Sequence, residues 1–276
     1  MIVCVKCLRL CLYLDYCKIH RTTMTERAEN LELNAMTNLM RSIDISWPIS
    51  EDMMSWKDNY PTKFISEAEY KKDGKRSTSL KMHCHSGTHV DAPSHFLKEG
   101  DSIESTSLKQ LMGKCKVFDF SEMESVNETG KIQKNDFFNN KYGEESISEG
   151  DIILLKTKNS FSFNATTKWQ QDFIYLDKTA ANYLVKEKKI KAVGIDYTGI
   201  ERSDIQEGHE THKMLLGNNV PIIEGLRLSH VLGLPSPDSK DVSMHQGIYY
   251  LICLPLKLVG VEAAPARAIL IPIDLK

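Results

Sequence analysis

Residues 83–96 read HCHSGTHVDAPSHF and carry four of the nine histidines in the chain. Gly87 and Pro93 interrupt this stretch, and Thr88 and Val90 are β-branched, so a helix is disfavoured. We predict a strand that meets a tight turn, in which Gly87 lets the backbone bend and Pro93 stiffens the exit. A turn of this kind brings side chains to one point, whereas a straight strand keeps them apart.

The spacing H-x-x-x-H-x-D makes His85, His89 and Asp91 candidate ligands of a divalent ion. Neutral imidazole and carboxylate suit a borderline metal such as Zn²⁺ or Mn²⁺. Three protein ligands leave coordination positions open, which is typical of a catalytic site. Such a metal lowers the pKa of bound water from about 15.7 to about 7, and His95 is suited to move protons. His83 is expected to support the site.

The competing interpretation makes these histidines surface residues or hydrogen-bonded core residues. For a single histidine that interpretation would be preferred. Four imidazoles with an aspartate and two turn-forming residues in one short stretch favour a metal site instead.

The bulk composition is that of a globular protein rather than a disordered one. The 276 residues are 41% hydrophobic and 26% charged, with a net charge of −2. This balance gives no electrostatic reason to expect nucleic acid or a membrane as a partner, so we expect a small-molecule substrate. Of seven cysteines, only Cys84, Cys115 and Cys253 follow residue 17. The absence of a disulfide framework predicts a reducing compartment, the cytoplasm.

The pattern divides the chain into an N-terminal extension, residues 1–40, and a domain, residues 41–276. The extension is expected to be mobile, and its apolar runs are too short to span a bilayer. Its C-x-x-C pair leaves a small zinc site at Cys4, Cys7, Cys17 and His20 as the alternative.

The domain alternates strand patterns with one clear amphipathic helix. The helix, residues 176–189, runs directly into an apolar stretch, residues 191–197, which indicates an α/β unit. The remaining strand-like stretches are residues 42–49, 78–86, 116–120, 151–157, 247–258 and 266–273. We therefore predict a single mixed α/β domain that is rich in β-structure.

The histidine stretch closely resembles the signature H-x-G-T-H-x-D-x-P-x-H-F of the metal-dependent cyclase-type amidohydrolases, which include bacterial kynurenine formamidase and isatin hydrolase. Every fixed position of that signature is filled between His85 and Phe96. The resemblance extends over residues 41–275. Its further elements are Asp196, Ser203-Asp204, His212 in HKMLL, Glu224, and Pro265 with Arg267.

The resemblance implies a swivelling β/β/α fold, a homodimer or higher homo-oligomer, and a centre with one or two divalent ions. Zn²⁺ is the first choice of metal and Mn²⁺ the alternative. The implied ligands are His85, His89, Asp91, His212 and Glu224. Asp91 would belong to both ions in a two-metal centre, and His95 resembles the catalytic acid/base. His209 competes with His212, although the H-x-x-L-L pattern favours His212.

The resemblance also implies hydrolysis of a small non-peptide amide, with N-formyl-L-kynurenine in tryptophan degradation as the first substrate to consider. An arylformamidase is thus the main expectation. The alternatives are a cyclic amide or lactone hydrolase like isatin hydrolase, a cyclase or dehydratase, and a metal-binding interaction protein without catalysis. One departure is Gly225, where many members have asparagine, because it deletes a polar side chain beside the predicted metal.

Overall fold

A computed structural model describes residues 38–138, 147–161, 168–202, 204, 208–233 and 247–273. The predicted extension and its cysteines lie almost wholly outside these residues, so that prediction stays a prediction. From Ile43 onward the chain forms one compact unit. No helix among the described residues is long and apolar enough to cross a membrane.

The described strands account for most of the regular structure. In chain order they are β1 (Ile43–Asp44), β2 (Lys63–Ala68), β3 (Ser77–Lys81), β4 (His89–Asp91), β5 (Met112–Asp119), β6 (Lys131–Ile132), β7 (Ile152–Lys156), β8 (Tyr175–Leu176), β9 (Ala192–Ile195), β10 (Ile222–Glu224), β11 (Ile248–Pro255) and β12 (Ala263–Pro272). Eight of them form one sheet in the order β1-β12-β11-β5-β7-β9-β10-β4. The pairs β2–β3 and β6–β8 form two small separate sheets.

The large sheet closes on itself. Strand β4 pairs with β10 on one side and with β12 on the other, which gives a barrel-like arrangement. The contacts β5–β7, β7–β9 and β9–β10 are parallel, and all other contacts in this sheet are antiparallel. The predicted mixed α/β, strand-rich fold is confirmed.

Short helices connect and cover the strands. They are α1 (Tyr70–Asp73), α2 (Leu108–Leu111), α3 (Glu124–Thr129), α4 (Lys178–Asn182) and α5 (Glu210–Leu216). Helix α4 starts at Asp177, whose carboxylate accepts from the backbone N–H of Thr179, and it continues as one π-helical segment, Tyr183–Glu187. The predicted helix at residues 176–189 therefore exists, with wider winding in its second half.

Two hydrophobic clusters lie on opposite faces of the large sheet. On β7, Ile152 and Leu154 belong to one cluster, while Ile153 and Leu155 belong to the other. Successive side chains of a strand point to opposite faces, and a strand buried on both faces is apolar throughout. The second cluster also contains Leu184 of the segment after α4, so the helices cover that face of the barrel.

Two predicted strands are shorter than expected. The stretch at residues 42–49 forms only β1 and one isolated bridge, from Ser46 to Leu226. The stretch at residues 78–86 ends as a strand at Lys81, and the next residues form turns. The histidine stretch thus enters the barrel from a turn, and its strand is β4 alone.

Candidate metal centre

Strand β4 provides two of the predicted ligands and fixes their direction. Val90 and its cross-strand partner Ile223 belong to the cluster on one face of the sheet. His89 and Asp91, one residue before and after Val90, therefore project from the other face. Glu224 lies directly opposite His89 on β10 and shares that face. All three side chains are buried, with exposures of 0%, 0% and 3% for His89, Asp91 and Glu224.

The turn before β4 holds His85 beside these residues. Gly87 adopts a left-handed φ of 64°, which favours glycine. The hydroxyl of Thr88 donates to the carbonyl of Gly225 at 2.6 Å, and this bond ties the turn to the end of β10. Nδ1 of His85 then lies 2.9 Å from Oδ1 of Asp91.

Asp91 is the centre of the cluster. Its Oδ1 lies 2.9 Å from Nδ1 of His85 and 3.4 Å from Nε2 of His89. Its Oδ2 lies 3.8 Å from Nε2 of His212, which belongs to α5. Nε2 of His89 and of His212 each lie 3.4 Å from an oxygen of Glu224. The structure thus brings all five predicted ligand side chains to one place.

The donor atoms fit a divalent ion. In the described part of the chain, both oxygens of Asp91 and Nε2 of His89 are buried without a hydrogen bond of acceptable geometry. Buried polar atoms normally have such partners. Tetrahedral coordination with bonds of about 2.0–2.1 Å places ligand atoms about 3.4 Å apart, which matches the separation of Nε2 of His89 from the two carboxylates. His89, Asp91 and Glu224 form one of the groups capable of holding a metal.

The electrostatics also favour a cation. Burial opposes a charge on His89, but the close carboxylates of Asp91 and Glu224 raise its pKa to about 10. The pKa of Glu224 falls to about 2, because contacts with His212 and His89 outweigh burial and the repulsion from Asp91. Nδ1 of His89 lies 2.9 Å from the carbonyl of Gly87. With a proton kept on Nδ1 by this carbonyl, Nε2 is the nitrogen that would exchange its proton for a cation between the carboxylates.

His95 lies at the edge of the cluster, in the 3-10 turn Pro93–His95. Its ring centroid is 4.3 Å from that of His85 and 5.7 Å from that of His212. Burial lowers the pKa of His95 to about 4, since the positive imidazoles of His85 and His212 add to the desolvation and the carboxylates only partly oppose it. The imidazole is therefore neutral at neutral pH and able to accept a proton.

A cavity of about 500 Å³ opens above the cluster. Its lining includes four residues of the cluster and its edge, His85, His95, His212 and Glu224. Its lining also includes aromatic rings, which belong to Trp56, Tyr60, His83 and Phe96. The rings of Tyr60 and His83 stack at 4.1 Å, so His83 supports the wall of the cavity.

The structure separates other candidates from the site. Asp204 pairs with Arg202 at 2.8 Å, and Ser203 lies outside the described residues. Gly225 does not leave a gap beside the centre, because a Cβ there would collide with the carbonyl oxygen of Gly87. The close approach of the two turns thus requires glycine at this position.

Glu201 is the residue that the sequence analysis missed. Its side chain is 1% exposed, and its Oε1 lies 2.9 Å from Nδ1 of both His209 and His212. The available signal was an acidic residue in a buried stretch, eleven positions before His212.

Comparison with known proteins agrees with this geometry. The family described as putative cyclase matches residues 43–202. Kynurenine formamidase of Bacillus cereus (strain ATCC 10987 / NRS 248) is 30% identical over 234 residues, which are 84% of this chain and 97% of the relative.

Solved structures with the same fold include a potential metal-dependent hydrolase with cyclase activity. It is 37% identical, has a TM-score of 0.65, and is matched over 85% of this chain and 98% of its own. Isatin hydrolase A from Labrenzia aggregata has a TM-score of 0.69 over 89% of this chain and 100% of its own, but at 19% identity it shows the fold alone.

The barrel, the buried histidine and carboxylate cluster and these relatives define a metal-dependent amidohydrolase. The alternative of an interaction protein without catalysis is thereby set aside. Within that class, the chain belongs to the putative cyclase family.

Proposed function

We propose that the protein is an arylformamidase that hydrolyses N-formyl-L-kynurenine in tryptophan degradation. The curated relatives named kynurenine formamidase support this choice, since the chain spans 97% of their length. The observation that carries the proposal is the cavity, whose lining combines histidines and a carboxylate of the cluster with aromatic rings. An aryl amide presents the same two parts, an apolar ring and a polar carbonyl.

His85, His89 and Asp91 would hold the first divalent ion, and Asp91, His212 and Glu224 would hold a second. A bound divalent ion supplies Lewis-acid polarisation of a carbonyl and lowers the pKa of a bound water. Zn²⁺ is the proposed metal, because borderline ligands of this kind suit it. Elemental analysis of the purified protein measures identity and stoichiometry together, and one Mn²⁺ per chain would contradict both choices.

The protein's own part in the reaction is binding and proton transfer. Trp56 and Phe96 would contact the aryl ring and exclude water from it. Water adds to the formyl carbon, the carbon–nitrogen bond breaks, and formate and the free arylamine leave. His95 lies in the cavity beside His85, where it can take a proton from the attacking water and deliver it to the departing nitrogen.

The decisive experiment is a substrate panel on protein of known metal content. N-formyl-L-kynurenine is expected to turn over at least about tenfold faster, by kcat/KM, than isatin or a simple lactone. His95→Ala is expected to keep its metal and to lose about 10²- to 10⁴-fold in kcat. Preferred turnover of isatin would favour the cyclic amide alternative, and unchanged activity of His95→Ala would contradict the proton-transfer role.

We further propose a homodimer or higher homo-oligomer. The hairpin β2–β3 is largely exposed, and its directly opposed residues Phe64 and Leu80 are 45% and 51% exposed. A two-stranded hairpin is marginally stable by itself, so a second copy of the chain is the proposed partner. Light scattering should give at least twice the 31.4 kDa chain mass, and a monomer would contradict the proposal.

The proposed compartment is the cytoplasm. The cysteines of the described chain, Cys84, Cys115 and Cys253, are free, as expected in a reducing environment. Imaging of the tagged full chain in its own cell tests this placement, and secretion into the medium would contradict it.

A further inference from the structure

The buried carboxylate of Glu201 joins two imidazoles behind the candidate metal centre. One oxygen, Oε1, lies 2.9 Å from Nδ1 of His212 and 2.9 Å from Nδ1 of His209. The other oxygen, Oε2, accepts from the backbone N–H of Thr211 at 2.8 Å, within the first turn of α5. Glu201 therefore ties the start of that helix and two of its histidine rings to the loop that follows β9.

The contact with Glu201 distinguishes the two nitrogens of His212. An ionised carboxylate only accepts hydrogen bonds, so the nitrogen facing it carries the proton. With the proton on Nδ1, the lone pair of His212 is on Nε2, which lies 3.4 Å from Oε1 of Glu224 and 3.8 Å from Oδ2 of Asp91. A carboxylate behind a metal-binding histidine fixes the ring and raises its basicity in this way.

A competing arrangement is a metal held by Glu201, His209 and His212 themselves, since their atoms are close enough. That arrangement would use Nδ1 of His212, the nitrogen opposite the one that faces Asp91 and Glu224. It would also use His209, whose side chain is 41% exposed. Among the described residues, the buried polar atoms without hydrogen bonds of acceptable geometry include Nδ1 of His212 from this set, but both oxygens of Asp91 and Nε2 of His89 from the other set.

We infer that Glu201 is a positioning residue, which holds the Nδ1–H form of His212 and so aims Nε2 at the metal shared with Asp91 and Glu224. The inference rests on the ligand set given under the proposed function. His209 takes the second contact of the same oxygen and lines the cavity without binding the metal.

Metal affinity, measured by competition with a chelator, tests the inference without any substrate. Glu201→Gln is expected to weaken binding about 10- to 100-fold and to change the visible absorption of the cobalt(II) protein. His209→Ala is expected to stay within about twofold of the wild type, because it removes only the second contact of Oε1 and leaves the contact of Glu201 with His212 in place. Glu210→Gln, an exposed change in the first turn of the same helix, is the matched control.

Equal losses in His209→Ala and Glu201→Gln would overturn the inference and make His209 a ligand. Unchanged affinity and spectrum in Glu201→Gln would also overturn it. Nitrogen-15 NMR of the zinc-loaded wild type shows directly which nitrogen of His212 carries the proton, so a variant that fails to fold does not block the test. Nδ1–H is expected, and Nε2–H would refute the inference. A wild type that binds metal yet cleaves no amide would refute the proposed function alone.

Discussion

Asp91 and Asp196 are both fully buried carboxylates on this barrel, yet their surroundings are opposite. Asp196 accepts four hydrogen bonds of 2.7–3.2 Å, from the backbone N–H and hydroxyl groups of Thr157 and Ser160. Asp91 faces imidazoles and has no hydrogen bond of acceptable geometry in the described chain.

The pKa values follow the same division. Burial raises the pKa of Asp196 to about 7, although its donors oppose that rise. Burial acts in the same direction on Asp91, but the imidazoles of His85 and His89 hold its pKa well below the usual value. A buried carboxylate surrounded by hydroxyl and amide donors stabilises the fold, whereas one surrounded by imidazoles is prepared for a cation.

Replacement of Asp91 by asparagine is the largest expected effect. The amide removes a charge from both predicted metal sets, so metal affinity should fall by more than about 100-fold and turnover by more than about 10³-fold. Elemental analysis and kcat/KM measure the two losses. If the variant kept its full metal content, Asp91 would not be needed to bind the metal, and its proposed role would no longer differ from that of Asp196.

Removal of the Asp196 carboxylate tests the other half of the comparison. Asp196→Ala leaves four donors of Thr157 and Ser160 buried without an acceptor, so the unfolding free energy should drop by about 3–5 kcal/mol. Denaturant unfolding measures the drop. The metal content of the folded fraction should equal that of the wild type. Loss of metal without loss of stability would assign Asp196 to the metal centre and not to the stability of the fold.

The pH dependence of stability sharpens the comparison further. Because the folded pKa of Asp196 is raised to about 7, the folded chain binds more protons than the unfolded chain between about pH 4 and pH 7. This contribution is present at low pH and is lost as the pH rises. Metal-free wild type should lose about 2–3 kcal/mol more stability than Asp196→Asn between pH 5 and pH 8. Parallel pH profiles would contradict the raised pKa.

The smallest effect is expected from the hydroxyl of Thr157. Thr157→Val keeps the shape of the side chain and the backbone donor. It removes the 2.8 Å bond to Asp196 and the 3.0 Å bond that the hydroxyl accepts from the backbone N–H of Asn159. The expected cost is about 1 kcal/mol in the unfolding free energy, with activity unchanged. A cost as large as that of Asp196→Ala would mean that the two bonds of this hydroxyl account for the whole contribution of the network.

The sequence predicted the buried strands well, because each is an apolar run that needs no distant information. Strands β7 and β9 are examples, and both are buried on two faces. The closure of the barrel was not predictable in this way. It depends on the pairing of β4, which has only three residues, with both β10 and β12. The alternation of polar and apolar residues over residues 78–86 predicted a strand that reaches the site. The strand that forms, β3, is exposed and ends at Lys81, so alternation alone predicted too long a strand.

His85, His89, Asp91 and His95 were predictable from spacing, whereas His212 and Glu224 followed from the family resemblance. All six side chains fall together as expected. Glu201 was not predictable, because its contact with His212 depends on how the loop after β9 meets α5. Gly225 was misinterpreted for a similar reason. A missing side chain suggested lost polarity, whereas the nearby carbonyl of Gly87 leaves no space for any Cβ.

Strand β4 is hydrogen-bonded on both sides within the closed barrel, and it carries His89 and Asp91. Its backbone is therefore fixed by neighbours that have no part in binding an ion. Chelation should then yield an intact, empty barrel instead of an unfolded chain, and reloading should restore the centre without refolding. Which metal the centre holds should then depend on which ion is available, because no refolding of the chain is needed to exchange one ion for another.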